Sequence, residues 1–536
     1  MRRLQLLAYS LVLGLAACGG GGGGGDTAST TTNNFPPQTP LTYSGVTTAA
    51  TVSTTSAGTL ASNVLGASGA TVGGGVVAGV TAESDATAPR PTGAAGLTRR
   101  LESAMRPADL TTAAGTGMAG AAIDQTTPCD SGSVHTSGTL ADNGTGTVSV
   151  AYNACRTGSD TLNGPGSLRI DSYDQANKVV TDGTLTITRI NFTGPGVNAD
   201  FTGTLRTQID VGAETQTLTA NIITQDNNTR RMTRTDNLVI TNHYDNVLAP
   251  TFFTESISGR VFDSNAGYVD VSTQTAPYSA PWGPLYFATS TQSFPDWGII
   301  VLNGATSSMR ITSLGVNLAK FEVDTNGDGT VDNTARMQWG QFNTPVGADL
   351  ADSDGDGMHN SWETSFGLNP NSAADATADN DGDGFSNIAE YLAGSNPTTN
   401  GSVPAPVRHV WVTGVRDLAY DATSGQIDVF VGSTGSGVLL DPVTGELGAA
   451  FSGVAEPNGA GNTTITDAGI TYTLAPTAAP TVWTLSSSTG ASLSITIAGT
   501  NPGSLIRYGA HGLAFRTIGA SGPGYVYLVE STQLVP

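Results

Sequence analysis

Two acidic stretches of this chain share one spacing. In the first, Asp352, Asp354 and Asp356 stand at positions 1, 3 and 5 of a twelve-residue segment, with Gly357 at 6, Met358 at 7, Asn360 at 9 and Glu363 at 12. The second repeats it with Asp379, Asp381, Asp383, Gly384, Phe385, Asn387 and Glu390. Alternate carboxylates of a tight loop point inward, and a glycine at position 6 permits the sharp turn because it has no Cβ to clash. A glutamate at position 12 can close the site with both oxygens. The carbonyl of Met358 or Phe385 supplies a further ligand, and Asn360 or Asn387 another. Such a set of hard oxygens suits Ca2+, which takes six to eight of them. Without a cation the carboxylates would repel by roughly 1 kcal/mol per pair even at water's dielectric. The pattern predicts two calcium sites.

The layout is EF-hand-type, and the stretch around it resembles the calcium-binding thrombospondin type 3-like repeats of bacterial secreted proteins. The residues that carry the resemblance are D-S-D-G-D-G-M-H-N-S-W-E and G-L-N-P, then D-N-D-G-D-G-F-S-N-I-A-E-Y and G-S-N-P. In that family such repeats are rigid, calcium-ordered spacers between domains, so the resemblance implies a structural role for residues 346–400 and no catalysis. A third, partial match precedes them: Asp324, Asn326, Asp328, Gly329, Thr330 and Asp332. Its position 12 is Ala335, so the closing ligand is missing, although Asp332 at position 9 could compensate. A weaker third calcium site and a plain Asn-Gly-Asp-Gly hairpin turn both remain open there.

The elements that must position these loops are read from composition and periodicity. The chain has 536 residues, enough for about three domains. Lysine plus arginine number 22 against 44 acids, a net charge of −22. Phosphate binding needs a basic face, so nucleic acid is not an expected partner. Abundant glycine and threonine with few charged residues favour an extracellular, mainly β protein.

Arg2 and Arg3 followed by the apolar run Leu4–Leu15 form an export signal too short to span a bilayer. The next residues, Leu15-Ala16-Ala17-Cys18, resemble the lipobox of bacterial lipoproteins. That resemblance implies cleavage before Cys18, lipidation of Cys18 and, with Gly19 following, an outer-membrane destination. The glycine run 19–25 then reads as a tether, continued by low-complexity sequence to residue 120. Within it, Leu97, Leu101 and Met105 recur at helical spacing, which makes a short amphipathic helix possible. In an exported chain Cys129 and Cys155 read as a disulfide across one hairpin turning at Asp142-Asn143-Gly144. That bridge is worth roughly 3 kcal/mol by chain entropy.

Residues 121–345 alternate apolar and polar with period two, as in 147–152, 183–188, 203–209 and 238–242. Asn163-Gly164-Pro165 and Asp182-Gly183 read as turns between strands. The expectation is an antiparallel meander, folded as a sandwich or a highly curved sheet. Trp282, Tyr286 and Trp297 could stack on sugar rings or plug the end of the β core.

Residues 401–536 carry a repeat of about 45 residues, Val438-Leu-Leu-Asp-Pro-Val-Thr-Gly445 against Trp483-Thr-Leu-Ser-Ser-Ser-Thr-Gly490. Asp417-Leu-Ala-Tyr420 is echoed by Gly512-Leu-Ala-Phe515. These residues resemble bacterial surface and quinoprotein-like β-propeller repeats, with four short strands to a blade. The length makes two blades and part of a third, so the region is expected to be a partial β-propeller-like module. It could complete itself with another chain through its open edge, pack on the upstream β domain, or be a remnant.

No nucleophile-elbow pattern, H-E-x-x-H, haem motif or phosphate-binding glycine loop occurs, and the five histidines are isolated in sequence. The expected function is therefore that of a calcium-binding, lipid-anchored envelope protein, a structural or adhesive scaffold for polysaccharide or a partner protein. The alternatives are an extracellular polysaccharide-degrading enzyme with structural calcium, or a subunit of an envelope assembly.

Overall fold

The computed structural model describes residues 38–68 and 122–534, apart from 159, 178, 195–196, 275–283, 288–294, 315–317, 340–349, 413, 480, 498–499, 511, 519–523 and 531–533. Cys18 with its lipobox, the glycine run, the 97–105 segment and Trp282 lie outside the described residues. Among the described residues no helix is long and apolar enough to cross a membrane.

The period-two pattern becomes a single antiparallel sheet of fifteen strands. They are β1 (Ala122–Pro128), β2 (Ser131–Leu140), β3 (Gly146–Thr157), β4 (Asp160–Asp174), β5 (Val179–Gly194), β6 (Val197–Asp210), β7 (Thr215–Asp226), β8 (Met232–Tyr244), β9 (Phe253–Asp263), β10 (Gly267–Gln274), β11 (Leu285–Phe287), β12 (Trp297–Asn303), β13 (Ser308–Leu314), β14 (Leu318–Asp324) and β15 (Asn333–Gln338). Nearly every strand pairs with the next in sequence; β10 and β11 share one row, each pairing with both β9 and β12. Strand β7 shows the reason for the alternation: Leu218, Ala220 and Ile222 are buried while the residues between them are half-exposed.

One apolar cluster contains residues from β2 through to β15. A single short helix cannot cover so many strands, so burial at this extent requires the sheet to curve over itself. The hairpin β2–β3 turns over 141–145 as expected, and Cys129 and Cys155 are bonded across it with Cα atoms 5.4 Å apart.

Two sequence expectations are corrected here. Asn163-Gly164-Pro165 is not a turn but a register shift inside β4, and Asp182-Gly183 lies inside β5 beside another. Gly164 has φ +135°, and a Cβ there would stand 2.3 Å from the Arg189 carbonyl oxygen. Glycine is needed for a bulge as much as for a turn, and a bulge also tolerates the missing amide of Pro165. Strands of up to sixteen residues bend at these bulges instead of ending.

The tether reading of residues 19–120 is corrected over its described part. Helix α1 (Thr54–Ser68) buries Ala57, Leu60, Ala61 and Val64, an i, i+3, i+4, i+7 stripe, in the core of the sheet. The segment before it forms a parallel bridge from Ala49 to Tyr268, and the Val52 amide donates to Ser307 Oγ at 2.7 Å. On the helix, Asn63 Nδ2 donates to buried Asp263 Oδ2 at 2.8 Å. Its Ala, Ser and Thr composition hid a stripe of only four apolar positions.

After the acidic loops the chain forms β16 (Val407–Val412), β17 (Val415–Asp421), β18 (Gln426–Val431), β19 (Gly437–Leu440), β20 (Leu447–Phe451), β21 (Thr464–Asp467), β22 (Ile470–Pro476), β23 (Val482–Ser487), β24 (Ser492–Thr496), β25 (Thr500–Tyr508), β26 (Gly512–Ile518) and β27 (Gly524–Glu530). These make three four-stranded antiparallel sheets: β17–β20, β21–β24, and β16 with β25–β27. The repeat of Val438 at Trp483 falls on the third strand of two successive sheets, whereas Asp417–Tyr420 and Gly512–Phe515 fall on non-equivalent strands. The sequence count of two blades and part of a third is corrected as well. Strand β16, the first of this region, joins β27, the last, and completes the third sheet.

Of the outcomes left open for this region, the structure adopts packing on the upstream domain. Tyr286, Trp297, Ile299 and Val301 of the long sheet share a cluster with Trp411, Tyr472, Phe515, Tyr525 and Tyr527. Trp411 is fully buried, with ring centroids 5.5 Å from Tyr286 and 5.4 Å from Trp297. Beside it, Glu446 receives Lys320 Nζ at 2.7 Å and Arg336 Nη2 at 2.5 Å, tying the first C-terminal sheet to β14 and β15.

Candidate metal centre

Each acidic loop folds through its own backbone amides. Asp352 accepts from the Gly355 N–H at 2.7 Å and the Gly357 N–H at 3.0 Å. Asp354 Oδ1 accepts from the Asp356 N–H at 3.3 Å, and Asp356 Oδ1 from the Met358 N–H at 2.8 Å. The second loop repeats this bond for bond. Asp379 accepts from Gly382 and Gly384 at 2.7 and 2.9 Å, Asp381 from Asp383 at 3.3 Å, and Asp383 from Phe385 at 3.0 Å. The glycine at position 4 matters as much as that at 6: Gly355 and Gly382 have φ of 74° and 77°, a backbone region that favours glycine.

This wiring engages one oxygen of each position-3 and position-5 carboxylate and leaves the other inside the loop. Oδ2 of Asp354, Asp356, Asp381 and Asp383 is buried with no hydrogen-bond partner. Helices α2 (Asn360–Phe366) and α3 (Asn387–Ala393) then bring up the position-12 glutamates. Glu363 is fully buried and neither of its oxygens is hydrogen-bonded. Glu390 is also fully buried; Oε1 accepts from Ser395 Oγ at 3.2 Å and Oε2 has no partner. Both helices end on a left-handed glycine, Gly367 or Gly394, whose following amide returns to the glutamate's own carbonyl.

Three groups of carboxylates converge, each with donor atoms within 4.8 Å of one another: Asp352, Asp354 and Asp356; Asp356, Glu363 and Asp375; and Asp379, Asp381 and Asp383. The sequence reading missed Asp375, which lies between the loops and fits no motif position. Glu390 stands outside the third group. Asn360 and Asn387, expected as ligands, also tie their loops together. Their amide oxygens accept from position 2, the Ser353 N–H at 2.9 Å and the Asn380 N–H at 3.3 Å, while their NH2 groups donate to Ser353 Oγ and the Asp375 carbonyl.

The third loop makes the same internal bonds. Asp324 accepts from Gly327 and Gly329 at 2.6 and 2.9 Å, Asn326 from Asp328 at 2.8 Å, and Asp328 from Thr330 at 2.7 Å. Asp332 closes back through Oδ2 on the Thr325 N–H at 2.8 Å, the position-9 role again. Ala335 pairs in β15 opposite Phe321, and no acidic group converges on this loop among the described residues. Here the loop is the connection of the β14–β15 hairpin.

The two loop–helix units pack as one body. Met358, Trp362, Ala376, Tyr391 and Leu392 share a core with Leu314 and Leu318 at the ends of β13 and β14. Buried His359 meets the Tyr391 hydroxyl through Nδ1 at 2.6 Å, and that hydroxyl donates to the Arg336 carbonyl of β15. Gln338 Nε2 donates to the Leu392 carbonyl at 2.6 Å. The edge strand of the sheet is thereby covered.

The donor chemistry fits a hard cation. It is all oxygen, with no thiolate or imidazole in the convergent groups, and its buried oxygens lack protein partners. The electrostatics say the same. Burial, helped by the neighbouring aspartates, pushes Glu363 up to about 8. Glu390 is pushed up to about 7 and Asp356 to about 6, again chiefly by burial. The metal-free fold therefore holds protons that the unfolded chain releases. Its stability from these groups is full below the unfolded carboxyl range and is lost as pH rises through about 6 to 8. The melting temperature in chelator should fall from pH 5 to pH 8.5. Saturating calcium should remove that fall, since the metal takes the deprotonated ligands. Parallel pH profiles with and without metal would contradict this assignment.

Tyr286 and Trp297 are buried in the junction with the C-terminal sheets, so neither ring is available to a sugar. No family model matches the chain, and no curated protein matches it. A solved structure aligned with it is the AfRom2 CNH domain, at 8% identity over 68% of this chain and 95% of that one, with a TM-score of 0.09, too low to support any argument. Fold and site together define a mainly β protein with acidic groups able to hold a metal ion between a long antiparallel sheet and three small ones.

Proposed function

We propose that this chain is a calcium-binding, lipid-anchored envelope protein that serves as a non-catalytic scaffold. The observation that carries the reading is Glu363, a fully buried carboxylate with neither oxygen hydrogen-bonded, grouped with Asp356 and Asp375. A divalent cation supplies what those oxygens lack. The metal-binding unit contacts β13, β14 and β15 directly and leads straight into the C-terminal sheets. Calcium then acts as a structural ion that orders the connection between two β-rich parts. Lipidation at Cys18 would hold the assembly at the outer membrane, with polysaccharide or another envelope protein as its partner.

Calcium titrated calorimetrically into the metal-free full chain should release or absorb heat fitting two sites. Magnesium, which prefers a tighter octahedron, should bind more weakly. No heat with calcium would refute the proposal.

A further inference from the structure

We infer that Asp375, in the spacer between the loops, is a ligand of the first metal site and couples that site to the second; this rests on the calcium reading above. Asp375 lies twelve residues beyond Glu363 and belongs to no loop position. Its carboxylate nevertheless falls within 4.8 Å of donor atoms of Asp356 and Glu363. Oδ2 accepts from the Asn369 N–H at 2.8 Å, which aims the side chain, and Oδ1 is buried without a partner. The independent sign of a ligand is Glu363 itself, fully buried beside it with both oxygens unpartnered. Three carboxylates gathered this closely without a cation between them would repel. With one, the first site has an acidic ligand from outside its own loop.

The backbone of the same residue faces the other way. The Asp375 carbonyl accepts from Asn387 Nδ2 at 2.8 Å, and Asn387 is the position-9 residue of the second loop. The Ala376 and Ala378 carbonyls accept from the amides of Ile388 and Asn387 at 3.0 and 2.8 Å, at the start of α3. Metal at the first site therefore fixes Asp375, and with it the peptide on which the second loop and its helix are seated. Binding at either site should favour binding at the other, because linkage is reciprocal.

The test is Asp375→Asn in the full chain. Asparagine keeps the oxygen that accepts from Asn369 and removes the charge. By calcium calorimetry the variant should lose roughly tenfold or more in affinity at one site, since ligand charge sets affinity, and should weaken at the second as well. In an Asp381→Asn, Asp383→Asn background, which leaves only the first site, adding Asp375→Asn should weaken the remaining binding by the same factor. The melting temperature in chelator should be unchanged or raised. Wild-type affinities in the variant would overturn the inference. So would an affinity loss accompanied by a lower melting temperature in chelator, which would mark Asp375 as a purely structural residue. Absence of calcium binding in the unmutated chain would instead remove the calcium reading on which both stand.

Discussion

Chelating calcium lowers the melting temperature of the protein and opens the segment between Thr344 and Pro406 to protease. That is the expected result with the largest effect, and its size follows from mass action. A ligand at about 100 times its dissociation constant adds ~2.7 kcal/mol per site, so two sites contribute roughly 5 kcal/mol. The effect concentrates in this segment because its apolar core is small. Met358, Trp362, Ala376, Tyr391 and Leu392 pack with two residues of the long sheet. The loops on either side hold buried carboxyl oxygens without partners. Asp354→Ala combined with Asp381→Ala should reproduce the chelated state in the presence of calcium. Each removes one of the inward oxygens from a different loop, and both positions are away from the apolar contacts. Identical digestion patterns with and without chelator, read by mass spectrometry of the fragments, would refute the ordering role.

Trp411→Ala should cost ~3–5 kcal/mol, the range for deleting a large buried aromatic. Trp411 is on β16, fully buried, and its ring meets Tyr286 and Trp297 of the long sheet. The loss acts at a junction as well as within a core. Chemical denaturation followed by tryptophan fluorescence and by far-ultraviolet circular dichroism should therefore change from coincident to separated transitions, the C-terminal sheets unfolding first. Glu446→Gln weakens the same junction from the side by removing the carboxylate that Lys320 and Arg336 reach across it, leaving Lys320 paired only with Glu322 of its own sheet, and should act in the same direction. Unaltered, coincident transitions in Trp411→Ala would show that the two parts do not depend on this contact.

The sequence by itself determined the features whose interactions close within a few residues. Aspartates at positions 1, 3 and 5 accept the amides two to five residues ahead of them, and glycines at 4 and 6 allow those amides to turn inward. The loops were therefore legible from spacing alone. Strand alternation was legible for the same reason, because period two is a property of the local backbone. So was the β2–β3 hairpin with its cysteine pair.

Only the tertiary structure decided the rest, because those choices depend on partners distant in sequence. The stripe of α1 is ordinary until β8 and β9 lie beneath it. Asn163-Gly164-Pro165 fits a turn or a bulge equally well, and only pairing with β5 on the far side selects the bulge. Strand β16 finds its neighbour at the other end of its region, in β27. Asp375 reaches Asp356 and Glu363 only in the packed unit, where Trp362 of α2 meets Tyr391 of α3. Local backbone geometry fixes where a carboxylate points within its own loop; whether a carboxylate from outside joins it is set by packing, which spacing alone does not encode.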